Sequence, residues 1–282
     1  MIQLSRQRIS DIPARYRGAG RIGNEQSLVE ARRDFLRDGG GSFGYLESSM
    51  WKPAKARLDV EAAGKCGYCE AEARVVAHCD VEHIRPKSVY WWLGLCFDNY
   101  VLSCQICNQT HKGDKYPAVR PMTPPRVTAA STAAELARIV DNIAPDPLSD
   151  DAGLKLTDFR RAWRGESPGL INPYEENPEP FFAWIPNGAV REVTVAPLAT
   201  RGRAKTRAVE TIEILGLNRP ELLRARWKQF RPVNALCANL KAGLRSPEKE
   251  DTEEMLREVM ADDSPYAAMS RYVVRVVHGL TL

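Results

Sequence analysis

A histidine beside a carboxylate can take a proton from water while the carboxylate holds a cation, and this chain has such a pair at Glu82-His83. The surrounding string is Asp80-Val-Glu82-His83-Ile-Arg85-Pro-Lys87-Ser88. Phe97-Asp98-Asn99 follows, and then Cys107-Asn108-Gln-Thr-His111-Lys112-Gly-Asp114-Lys115. Hydrolysis of a phosphodiester needs these parts. Water must lose a proton, the leaving 3′ oxygen must be stabilised, and the phosphate must be held in line. One imidazole does the first. One divalent cation does the second as a Lewis acid. A hard ion such as Mg²⁺ prefers oxygen ligands, which Glu82 and Asn108 can supply. Neighbouring Lys and Arg side chains can hold phosphates.

Two cysteine pairs flank this region, Cys66-Gly-Tyr-Cys69 and Cys104-Gln-Ile-Cys107, with thirty-four residues between them. Each spacing lets two thiolates reach one ion from a tight turn, and together they complete a tetrahedral site. Structural zinc is the expectation. A rubredoxin-like iron site would use the same ligands, and a redox dithiol would need only one pair. Cys79, Cys96 and Cys237 default to small buried residues.

The strings EHIRPKS, DN and CxxCN followed by HKGDK resemble the HNH endonucleases in their HNN form, and the flanking cysteines match the zinc-bound subgroup. The resemblance implies a β-hairpin followed by a helix around one metal. It implies His83 as general base, Glu82 as acidic metal ligand, and Asn99 as the residue that fixes the loop and orients the base. Many members have Asp where this chain has Glu82. Asn108 would be the second ligand of the catalytic ion, Mg²⁺ or Mn²⁺, and would open the helix, with His111 as the substitute candidate. Arg85, Lys87, His111, Lys112 and Lys115 are the candidate nucleic-acid contacts. LINPYEENPEPFF, AWIPNGAV and TIEILGLNRPELLRARW resemble a narrower group. These are HNH nucleases of Septu-type and retron antiphage systems, which implies an ABC-like ATPase partner.

The elements that must position these residues read as an α+β arrangement. A ββα-metal core with its four-cysteine zinc site is embedded in a mainly helical protein with a C-terminal helical lobe. Residues 1–50 read as a helical extension, with Asn24 or Ser27 as cap of its helix. Residues 51–125 read as the nuclease domain, opening on a short helix over 51–60. Residues 126–200 read as a linker. It contains a helix over 132–142 started by a Thr132/Glu135 capping box and a hairpin around Asn187-Gly188. The rest of 144–200 reads as loops with a few short strands. Residues 201–282 read as helices over 202–215, from Asn218 as cap to about 243, and over 247–261 and 264–279. Trp91-Trp92 either stacks on a base or fills the core, and core is the expectation.

Net charge is only +4, so the whole chain is not a strong polyanion binder. Charge is nonetheless asymmetric: residues 201–245 carry eleven Lys/Arg against three acids, and 246–265 carry eight acids. That pattern fits a phosphate-facing surface and equally a solvated helix face. No apolar run is long enough to span a membrane, and the opening residues lack the apolar core of a signal peptide. A cytoplasmic DNA endonuclease of antiphage defence is the expectation. The alternatives are a zinc-stabilised nucleic-acid- or partner-binding module without cleavage, and an RNA (tRNA) nuclease.

Overall fold

A computed structural model describes residues 1–72, 79–150 and 153–282. The centre of the molecule is an antiparallel pair, β1 (Cys79–His83) and β2 (Tyr100–Cys104). Its register sets Cys79 opposite Cys104 and His83 opposite Tyr100. Every residue of β2 is buried, which is why YVLSC lacks the apolar–polar alternation of a half-exposed strand. A wide helical turn, Ile106–Lys112, follows β2 directly. The expected hairpin-then-helix order is therefore present, with Asn108 inside the turn and not at its opening.

The connection from β1 to β2 is long, and Asn99 closes it. Its side-chain oxygen accepts the Arg85 N–H at 2.9 Å, and its amide donates to the carbonyls of Arg85 and Leu93. Trp91 and Trp92 sit inside this connection and are buried. They join Leu28 and Val29 of α1 (Gly18–Arg37) and Leu136 and Val140 of α3 (Ala133–Ile143) in a second core. Between those helices in sequence lies α2 (Lys55–Glu61), which packs on β1 and β2.

α1 begins ahead of both expected caps. Asn24 donates to the Arg15 carbonyl, and Ser27 donates to Gly23 within the helix. The free N-terminal amide of Gly18 is instead met by the carboxylate of Asp146, far along the chain. α3 starts where the capping box placed it, with Thr132 and Glu135 each accepting the other's backbone N–H. α4 (Leu156–Glu166) is a helix where the Pro- and Gly-rich sequence predicts loops and short strands, and it buries Phe159, Trp163 and Glu166.

β3 (Phe182–Asn187) and β4 (Glu192–Pro197) form the hairpin announced by Asn187-Gly188. The C-terminal part is α5 (Gly202–Ile214), α6 (Pro220–Lys241), α7 (Glu248–Met260) and the short α8 (Ala267–Arg271), continued by a wide turn to Val277. Asn218 does not cap α6; Arg219 holds that position, and Asn218 pairs with both backbone groups of Val195 on β4. The main core runs through both ends of the chain. Ile2, Val101, Leu102, Trp184, Val233 and Met269 belong to one buried cluster together with Cys66, Cys69, Cys104 and Cys107. No helix among the described residues is long and apolar enough to cross a membrane.

Candidate active site and thiolate cluster

The four cysteine sulfurs lie within 4.8 Å of one another. Zinc–sulfur bonds of about 2.3 Å set the corners of a tetrahedron about 3.8 Å apart. The Cys69 and Cys104 sulfurs stand 4.0 Å apart, so the set fits one tetrahedral ion. Backbone geometry holds it there. Gly67 donates its N–H to the Leu102 carbonyl at 2.8 Å, tying the first pair to β2. A side chain at Gly67 would come within 2.8 Å of a Val101 methyl, so the knuckle needs glycine at that point. Cys107 donates its N–H to the Cys104 sulfur at 3.5 Å.

Beside this cluster opens a cleft of about 620 Å³. Glu82, His83, Lys87, Asn108 and Asp114 line it, and Trp51, Lys52 and Lys55 form a further part of its wall. Glu82 and His83 end β1, and Asn108 follows the second cysteine pair by one residue. The thiolate cluster thus fixes the turn that carries Asn108 against the strand that carries the other two.

His83 is almost fully enclosed. Trp51 and Tyr100 meet its ring edge-on, each with centroids 5.0 Å away. Its Nε2 lies 2.9 Å from the Gly94 carbonyl oxygen. A carbonyl only accepts, so Nε2 carries the proton and the neutral ring keeps its lone pair on Nδ1. Burial lowers the imidazole to about 4, with Lys87 and Lys112 adding to the effect, so His83 is neutral at physiological pH. Glu82 is buried as well. Burial pushes its carboxyl up, and Lys112 beside it pulls the other way.

Lys112 and Arg85 correct the sequence reading. Both were expected at nucleic acid, and both are buried. Lys112 is fully enclosed; its ammonium pairs with Glu82 and donates to the His83 carbonyl at 2.9 Å. It is the internal partner of the Glu82-His83 strand end. Arg85 donates to Glu166 at 2.7 Å, a contact from α4 that the chain order gives no hint of. Glu166 also accepts from the Tyr90 hydroxyl and the Met122 N–H, so it anchors the loop after His83. Asn99 is likewise wholly buried and positions that loop from behind, away from the residues that line the cleft. Lys87 does line it, with its ammonium 5.2 Å from the Trp51 ring. His111 and Lys115 are not among the lining residues; Lys115 donates to the His111 carbonyl, and His111 faces Gly216. Trp51, Lys52 and Lys55 are among the lining residues that the sequence alone does not single out. The string WKPAK just ahead of the first cysteine pair was their only signal.

Comparison with known proteins finds relatives of this segment and of the wider chain. Residues 66–114 match the HNH endonuclease family model. That segment opens on Cys66 and closes on Asp114, so it contains both sulfur pairs, Glu82, His83, Asn99 and Asn108. Over 219 residues, 71% of this chain, the sequence is 25% identical to the Septu protein PtuB of Bacillus mycoides (strain KBAB4). The alignment takes in 60% of that relative's own length. Residues 66–114 thus match the HNH endonuclease family, within a chain whose wider sequence is similar to a Septu protein.

Proposed function

We propose that this protein is a metal-dependent endonuclease that hydrolyses DNA phosphodiester bonds. In this reading it is the effector nuclease of a cytoplasmic antiphage system and works with an ATPase subunit. The carrying observation is His83: a neutral ring, its Nε2–H given to Gly94, on the wall of a cleft shared with Glu82 and Asn108. Such a ring presents Nδ1 as a base without first having to lose a proton. Gly94 orients it, and Asn99 and Glu166 hold the loop that brings Gly94 into place.

A carboxylate and an amide oxygen on one cleft suit a hard divalent ion, so Glu82 and Asn108 would hold Mg²⁺ or Mn²⁺. Bound there, the ion supplies Lewis-acid stabilisation of the leaving oxygen. The lining residues include three lysines (Lys52, Lys55, Lys87) and three carboxylates (Asp80, Glu82, Asp114). A divalent cation would tip that balance towards binding phosphate. Lys87 and Lys52 are then the phosphate contacts, and Trp51 offers a ring against which a base can pack. Cys66, Cys69, Cys104 and Cys107 would hold structural zinc.

The test is cleavage of plasmid DNA by purified protein with added Mg²⁺ or Mn²⁺, with the partner subunit present if the isolated chain is silent. His83→Ala should lose at least about a hundredfold in cutting rate while still folding and keeping its zinc. Equal cutting by His83→Ala and wild type would defeat the assignment. A matched RNA substrate, run in parallel, decides between the two nucleic acids, because a general base with a metal makes no use of the 2′-hydroxyl.

A further inference from the structure

The string Leu215-Gly-Leu-Asn-Arg-Pro220 joins α5 to α6 and lies more than a hundred residues beyond Cys107, the last of the four clustered cysteines. Its residues converge on the thiolate cluster. Gly216 takes a left-handed backbone, φ +56°, and lies so close to the His111 ring that a side chain there would come within 2.3 Å of it. Leu217 is buried, and its carbonyl accepts from Arg226 of α6 at 2.7 Å. Asn218 locks the corner onto β4 through Val195. Pro220 then opens α6.

This corner delivers one side chain to the sulfurs. The Arg219 guanidinium sets Nη1 3.4 Å from the Cys107 sulfur, and Nη2 3.7 Å from that of Cys69 and 3.9 Å from that of Cys104. Nη1 also reaches the carbonyls of Leu215 and Gly216. Cys66, the sulfur Arg219 does not touch, has the Ser103 hydroxyl at 3.7 Å. Four thiolates around one Zn²⁺ carry a net charge of −2, and here they are buried. A buried anion needs a counter-charge or donors, and a forked guanidinium supplies both.

We infer that Arg219 is a positioning residue of the metal centre. It donates to three of the four thiolates, offsets half of their excess charge, and makes the α5–α6 corner part of the site. The inference rests on the four cysteines holding a metal and is independent of cleavage. Donation from N–H to a thiolate stabilises the sulfur lone pairs, so the bound ion is held longer and the ligand electrons are harder to excite.

The experiment uses the full chain, purified with its zinc. Zinc per chain in the wild type is measured first; a value near zero would defeat the metal reading itself. Transfer of zinc to a chromogenic chelator is then timed for wild type, Arg219→Gln, Arg219→Lys and the exposed control Arg224→Gln. Arg219→Gln should release zinc at least about tenfold faster, with Arg219→Lys in between and Arg224→Gln unchanged. After replacement by Co²⁺, the sulfur-to-cobalt absorption band of Arg219→Gln should move to longer wavelength. A fully zinc-loaded wild type together with unchanged transfer and an unmoved band in Arg219→Gln would overturn the inference. If Arg219→Gln does not accumulate as folded protein, Arg219→Lys decides. Faster release and a shifted band support the role, and wild-type behaviour in both overturns it.

Discussion

His83 devotes one ring nitrogen to the Gly94 carbonyl and is shut in by Trp51 and Tyr100, so its protonation is coupled to folding. In the folded chain it titrates near 4, against 6.5 when unfolded. Between those values the unfolded chain binds a proton that the folded chain does not. Stability therefore falls as pH drops through that window, by at most on the order of 3 kcal/mol from this residue. Denaturant midpoints measured from pH 7 to pH 4, without added divalent metal, should show a slope that His83→Asn flattens. An unchanged slope would mean the ring is not held neutral. The residue types of Glu82, His83 and Asn108 and their spacing could be read directly. What Arg85 and Lys112 do could not. A lysine in a basic motif reads as a phosphate contact until the fold sets its ammonium on a carboxylate one strand away. Likewise, the partner of Arg85 is supplied by a helix 81 residues further on.

Elements were legible where the signal is local. The Thr132/Glu135 box and the Asn187-Gly188 hairpin need only a few consecutive residues, and both stand where the sequence set them. The start of α1 was misplaced because its N-terminal partner, Asp146, comes from another part of the chain. α4 was missed although Leu156, Phe159 and Trp163 repeat at helical spacing, because Gly and Pro around it read as loop. The α5–α6 corner gives a sharp test at this scale. Gly216→Ala forces a side chain into left-handed backbone and into the His111 ring. Gly243→Ala also meets a positive-φ backbone, φ +91°, but in open space. Thermal melts should show Gly216→Ala destabilised by about 1–3 kcal/mol more than Gly243→Ala. Equal losses would mean that His111 moves aside at no cost.

The sulfur cluster does not stand apart from the rest of the molecule. Its cysteines are buried in the same apolar core as Ile2, Trp184, Val233 and Met269. Removing the metal that these four cysteines would hold should therefore be felt by the whole chain. With a strong chelator, tryptophan fluorescence and far-ultraviolet circular dichroism should report one shared transition, lowered by roughly ten degrees or more. Two separate transitions, with the helical signal unmoved, would show that the C-terminal helices stand without the metal.

Arg219 reaches Cys107 across 112 positions of chain, and the stretch between them passes through the Pro- and Thr-rich segment after Tyr116. Lengthening a flexible connection costs only logarithmically in closure entropy. Insertions in the exposed part of that segment are thus cheap, provided both anchors keep their places. Two stretches of fixed spacing, the knuckle region and the Leu-Gly-Leu-Asn-Arg corner, then act as a split signature. The distance between them along the sequence is free to drift while their meeting in space is not.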